Sequence, residues 1–208
     1  LRYEAPELSL EDLTARLLGL DLAGRLALDT EKLLATGVLR ASSSDLSRLG
    51  RFVGTSLSGS GAADLALSTR QDGQAATAEL SAKHLEIGGV SLGELLLEAA
   101  ISDATGSPSL RADLDARNGV LGSLRLTRLE ASARGPLSAI ALEATGNGTL
   151  DGRAVTLATA ADLSVPDPVE ATVQRLELDS EDLALRQRGP LALSASGGSV
   201  AARGIDLE

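Results

Sequence analysis

Hydrophobic and polar residues alternate with a period of two through most of this chain. The clearest run opens with Leu110, Ala112, Leu114 and Ala116 set between Arg111, Asp113, Asp115 and Arg117. A period of two places the apolar side chains on one face of a strand and the charges on the other. The pattern resumes at Leu124 and Leu126, then at Leu129, Ala131 and Ala133, at Ile140, Leu142 and Ala144, and at Val155 and Leu157. Asn118-Gly119, Gly146-Asn147-Gly148 and Asp151-Gly152 supply residues that tolerate positive φ, and the expectation is a turn or break at each. With no helical spacing between these runs, an antiparallel sheet with one apolar and one polar face is predicted. From Ala75 onward the whole chain reads this way, punctuated at Gly88-Gly89, Gly106-Ser107-Pro108 and Arg134-Gly135-Pro136. The tail continues with Leu183-Leu185, Leu191-Leu193, a turn over Ser196 to Ser199, and Ile205-Leu207.

Two departures interrupt the rhythm. Between Leu126 and Leu129, and again between Val173 and Leu176, the apolar phase slips by one residue, which a β-bulge would absorb. Pro166-Asp167-Pro168 reads as a local break, because two prolines forbid a central strand. Helices are expected at only two places. Ser9 precedes acidic residues and Leu10, Leu13 and Leu17, predicting a helix over Ser9–Leu18; Ser43-Ser44-Asp45 precedes Leu46, Leu49, Phe52 and Val53, predicting one over Ser44–Val53. The passages from Leu13 and from Leu46 share R-L, a glycine and L-A-L-x-T, a loose internal repeat. The expectation is a single elongated β-rich segment over 1–208, with repeat-like units near 9–40 and 43–82 and strand repeats over 85–208.

Composition changes what the apolar face is good for. Hydrophobic residues make up 43% of the chain, enough for a large buried area, yet Tyr3 and Phe52 are the only aromatics. A closed core usually fills its volume with aromatic rings, so a Leu/Ala face points to something smooth and repetitive. The same scarcity removes the stacking platforms that single-stranded nucleic acid needs, and a net charge of −10 repels phosphate backbones. Nucleic acid is therefore not an expected partner. The chain has no Cys and no Met; lacking its own translation start, it reads as a segment of something longer. No apolar run approaches the ~20 residues needed to span a bilayer as a helix.

Candidate chemistry is sparse. His84 is the only histidine, so neither a His-paired triad nor a His-rich metal site can form, and Lys83-His84-Leu85 reads as a solvated strand edge. Asp113 and Asp115 share a face, but Arg111 and Arg117 flank them there and compensate their charge. No glycine-rich phosphate loop leads from a strand into a helix. No enzyme, metal or cofactor is expected.

Three passages carry a resemblance: DLSRLGRFVGTSLSGSGAADLALS from Asp45, GPLSAIALEATGNGTLDGRAVTLATAADLS from Gly135, and LALRQRGPLALSASGGSVAARGIDLE from Leu183. Their rhythm of G-x-L-x-L, turn and L-x-L resembles the TamB/AsmA-like envelope proteins. The resemblance implies a mostly β fold, an elongated folded-over antiparallel sheet (a β-taco or open, solenoid-like trough) with one or two short helices. It also implies a place in the periplasm, within an inner-membrane-anchored cell-envelope protein linked to phospholipid supply and outer-membrane protein assembly. The parent chain would then meet an outer-membrane barrel protein of the BamA/TamA type.

Alternation names the residues that would line such a trough against acyl chains: Leu65, Leu67, Leu95, Leu97, Ile101, Leu110, Leu114, Leu124, Leu126, Leu129, Ile140, Leu142, Val155, Leu157, Leu176, Leu178, Leu191 and Leu193. Three readings of this face compete. It is a groove for phospholipid acyl chains, the core of a closed β-solenoid, or a scaffold whose sheet edges capture client strands during outer-membrane protein assembly.

Overall fold

The computed structural model describes residues 2–4, 7–70, 73–165, 169–180, 184–196, 199–204, 206 and 208. Pro166 to Pro168, Leu183, Gly197-Gly198, Ile205 and Leu207 lie outside the described residues, and with them the predicted proline break, the glycines of the Ser196–Ser199 turn and three apolar positions. The chain divides into two units, Leu1–Pro108 and Ser109–Glu208. Among the described residues it is antiparallel β throughout, with one seven-residue helix.

The first unit is a meander of β1 (Arg2–Glu4), β2 (Glu7–Leu17), β3 (Leu20–Asp29), β4 (Leu34–Ser43), β5 (Leu57–Arg70), β6 (Gly73–Ile87) and β7 (Val90–Ser102), with α1 (Ser47–Val53) between β4 and β5. Each strand pairs with the next. Residues directly opposite in such a ladder share a face. Leu10, Leu26, Gly37, Leu67, Ala76 and Ile101 therefore form one row across six strands. Ala15, Leu22, Ala41, Ala63, Leu80 and Leu97 form another. Arg16, Asp21, Arg40 and Asp64 stand on the opposite face, where Arg16 bridges Asp21 and Arg40 bridges Asp64 at 2.8 Å.

The predicted helix over Ser9–Leu18 is instead β2. Its ladder with β3 shifts register between Leu10 and Leu13, where Asp12 takes φ 54°. The inward set is Leu8 and Leu10, then Leu13, Ala15 and Leu17. One inserted residue turns a spacing of two into a spacing of three, which imitates helical periodicity in the sequence. The helix-then-strands repeat consequently fails in its first copy. The second predicted helix is present as α1. The Asp45 carboxylate accepts from the Ser47 N–H at 2.9 Å, and Gly54 closes α1 in the left-handed conformation at φ 73°.

β4 and β5 stop pairing at Gly37 and Leu67, whereas β5 and β6 continue to Arg70 and Gly73. The freed peptide of Ala35 is taken over by Gln74. Its Oε1 accepts from the Ala35 N–H at 2.7 Å, and its Nε2 donates to the Ala35 carbonyl at 2.9 Å. A side-chain amide here does the work of a missing ladder rung. Gln74→Ala leaves both half-buried groups without it and is expected to lower stability by about 1–3 kcal/mol, read as a lower urea midpoint. An unchanged midpoint would show that water replaces the clamp.

The second unit continues as β8 (Ser109–Leu121), β9 (Leu124–Pro136), β10 (Ile140–Leu150), β11 (Arg153–Ser164), β12 (Val169–Ser180), β13 (Ala184–Arg186), β14 (Leu191–Ser196) and β15 (Ser199–Arg203). Strands β8 to β12 pair in sequence, β12 takes both β13 and β14, and β14 pairs β15. Both predicted slips are bulges. Thr127 is the extra residue against Asn147 and Gly148, and Gln174 is the extra residue against Ala160 and Ala161. Asp151-Gly152 is a two-residue hairpin turn with both φ values positive, 50° and 83°.

Asn118-Gly119, expected as a turn, lies inside β8. Asn118 takes φ 55° directly opposite the Thr127 bulge, so β8 slips phase together with β9. The positive φ that the pair permits makes a mid-strand corner, and the chain turns at Gly122-Ser123 instead. Gly146-Asn147-Gly148 likewise does not break β10, which runs through to Leu150. Gly148 is needed for close approach: a Cβ there would stand 2.2 Å from the Arg125 carbonyl oxygen.

Candidate functional site: the aliphatic face

Every apolar residue named from alternation falls on one face of its own unit. In the first unit Leu65, Leu67, Leu95, Leu97 and Ile101 join the rows described above, with Leu95 opposite Ala82. In the second, Leu129, Gly146, Leu157 and Leu178 form one row, and Leu114, Ala131, Ala144, Thr159 and Leu176 the next. Leu142, Ala161, Val173 and Leu191 form a third, and Ile140, Leu163, Ala171 and Leu193 a fourth. Leu126 lies opposite Gly119 and Gly148, Gly148 in turn opposite Val155, Leu124 opposite Leu150, and Leu110 opposite Gly135.

The face is aliphatic and incompletely covered. Of the named residues only Ile140 and Val155 are buried, at 1% and 8% exposure, and the others are half-buried. Apolar surface that a closed core removes from water is here left partly in it.

Sequence reasoning missed part of the lining. Leu39 and Ala41 belong to the same face, but β4 hides its alternation behind Gly37, which stands at an apolar position with no side chain to signal it. Leu46 and Leu49 of the α1 segment also reach the face. With Leu57, Leu80, Leu85 and Leu95 they line an apolar pocket of about 370 Å³ that is open on one side. A second cleft of about 520 Å³, mixed in polarity, shares Leu57 and is lined also by Ser47, Arg51, Glu86 and Val90.

The opposite face of β8 and β9 is a charge lattice. Asp115 accepts from Arg117 at 2.8 Å and from Arg128 at 2.6 Å, and Asp113 accepts from Arg134 at 2.7 Å and Arg111 at 3.3 Å. Hydrogen bonds from Arg117 first, then Arg128, hold the Asp115 carboxyl below the usual carboxylate range. A depressed folded pKa means stabilisation present above the unfolded value of about 3.9. It is lost as pH falls through the lower folded value. The stability difference between the parent chain and Asp115→Asn is thus expected to be constant near neutrality and to shrink as pH falls below about 4. A difference that persists unchanged in acid would contradict this. Among the described residues no three of His, Asp and Glu come together as a metal-binding group, and no helix is long and apolar enough to cross a membrane.

In neither unit, among the described residues, does the first strand pair with the last. The fold and the site define a class: antiparallel β-meanders that present a broad, half-covered aliphatic face. No protein-family model matches the chain, and no similar curated protein or solved structure was found.

Proposed function

We propose that this chain is a segment of a bridge-like lipid-transfer protein whose aliphatic face carries phospholipid acyl chains between inner and outer membranes. The observation that carries the reading is the state of that face. Row after row of Leu, Ala, Val and Ile lies on one side of each unit, almost free of aromatics, and most of it is only half-buried. Burial of hydrocarbon is non-directional and scales with area, so a smooth aliphatic wall holds a sliding chain without fixing it at one place. Each methylene covered contributes about 0.8 kcal/mol.

In this reading the segment works in the periplasm as part of an inner-membrane-anchored envelope protein, and the parent chain meets an outer-membrane barrel of the BamA/TamA type. It is not an enzyme, and it uses neither metal nor nucleic acid. Mass spectrometry of an organic extract of the purified chain is the test. Phospholipid recovered in amounts comparable to protein is expected. Clean protein after gentle purification, or peptide in place of lipid, would reject transport; peptide would favour the capture of client strands.

A further inference from the structure

We propose that the pocket beneath α1 is a discrete seat for one alkyl chain, distinct from the rest of the aliphatic face. The inference rests on the acyl-chain reading above and adds a place where a chain stops. Among the described residues, α1 is the one helix that packs on the sheet of the first unit. It is seated closely: Gly50 is buried, and a Cβ on it would come within 2.6 Å of the Leu57 Cβ. The Leu46 N–H donates to the Gly59 carbonyl at 2.9 Å, anchoring the start of the helix to β5.

A helix held this tightly would be expected to close over the sheet, because protein interiors leave few voids larger than a water molecule. Instead Leu46 and Leu49 line, with Leu80, Leu85 and Leu95, a pocket of about 370 Å³ that stays open to solvent on one side, and the lining is aliphatic. That volume falls within the range of ligand sites, and such a wall offers water no hydrogen bond. What fits is hydrocarbon. Here a chain meets Leu46 and Leu49 of the α1 segment as well as the strands, so more of its surface leaves water than on strands alone. A chain sliding along the face is therefore expected to be retained longest under α1. A fatty acid and a phospholipid tail offer the same hydrocarbon, and both are covered by the proposal.

The chain contains no tryptophan, so one introduced residue reports alone. In the full chain, Leu80→Trp places a fluorophore at the pocket and Leu142→Trp places one on the open face of the second unit; Leu95→Trp serves if Leu80→Trp folds poorly. Each is titrated with a brominated fatty acid, and separately with vesicles of a brominated phosphatidylcholine, whose bromines quench on contact. The expected result is saturable quenching of the pocket reporter at a concentration at least tenfold below that needed for Leu142→Trp. Adding Ala63→Phe, which fills the pocket, should erase that difference. Quenching by the fatty acid alone, or by the vesicles alone, supports the seat and identifies its source of chain. Equal quenching of both reporters overturns the seat while leaving the acyl-chain reading standing. Quenching of the pocket reporter alone supports the seat and removes the transport reading. No quenching of either overturns both.

Discussion

The chains carrying Leu114→Asp or Leu126→Asp are expected to remain folded and to lose bound lipid. Both leucines sit in apolar rows, Leu114 opposite Ala131 and Leu126 opposite Gly119 and Gly148, and both are half-buried. A carboxylate at either place reaches water while the face is empty, so the fold tolerates it. When an acyl chain lies over it the charge must be desolvated, at a cost of several kcal/mol, which lowers retention by two orders of magnitude or more. Asp113→Ser is the control on the opposite face. It removes ion pairs to Arg111 and Arg134 whose partners are well exposed, worth about 0.2–1 kcal/mol, and should leave lipid content unchanged. Co-purifying phospholipid is measured beside circular dichroism. If both leucine variants become insoluble and the parent carries no lipid, the face is a core and transport is wrong.

Ile140→Ala is expected to be the most damaging aliphatic truncation in the second unit. Ile140 is 1% exposed, heads the row of Leu163, Ala171 and Leu193, and opens β10 after the Leu137-Ser138 turn. Deleting its buried methyl and methylene groups removes both transfer free energy and packing, about 2–5 kcal/mol. Leu178→Ala, at a half-buried position in the next row but two, should cost clearly less, since part of that side chain is in water in both states. Urea unfolding reads the difference as a fall in midpoint at constant slope. Equal losses at the two sites would mean that the face is covered evenly, against the division drawn here between residues that hold the sheet and residues that stay available.

The two predictions separate stability from binding because exposure is uneven along rows that look equivalent in sequence. Ile140 and Leu142 both follow the alternation, yet one is buried and the other only half-buried. Alternation assigns a face; it cannot assign depth, which depends on which strands and turns crowd against that part of the sheet.

What the sequence determined by itself was periodic and local. Alternation identified the β fold, the apolar face of β5 and of the long strands from β7 onward, and the Asp151-Gly152 hairpin, because side-chain direction in a strand follows position with a period of two. It also located the bulges at Thr127 and Gln174, since one extra residue inverts the phase of everything after it. The same logic applied to β2 gave a helix, because a single inserted residue at Asp12 imitates helical spacing. Asn118-Gly119 permits positive φ, but whether that φ closes a turn or bends a strand was decided by the Thr127 bulge facing it. Only tertiary structure showed Gln74 replacing a ladder rung for Ala35, 39 residues away, and only tertiary structure brought Leu46 and Leu49 to the wall of an apolar pocket. Both depend on where non-neighbouring segments meet in space, and no periodicity along the chain encodes that.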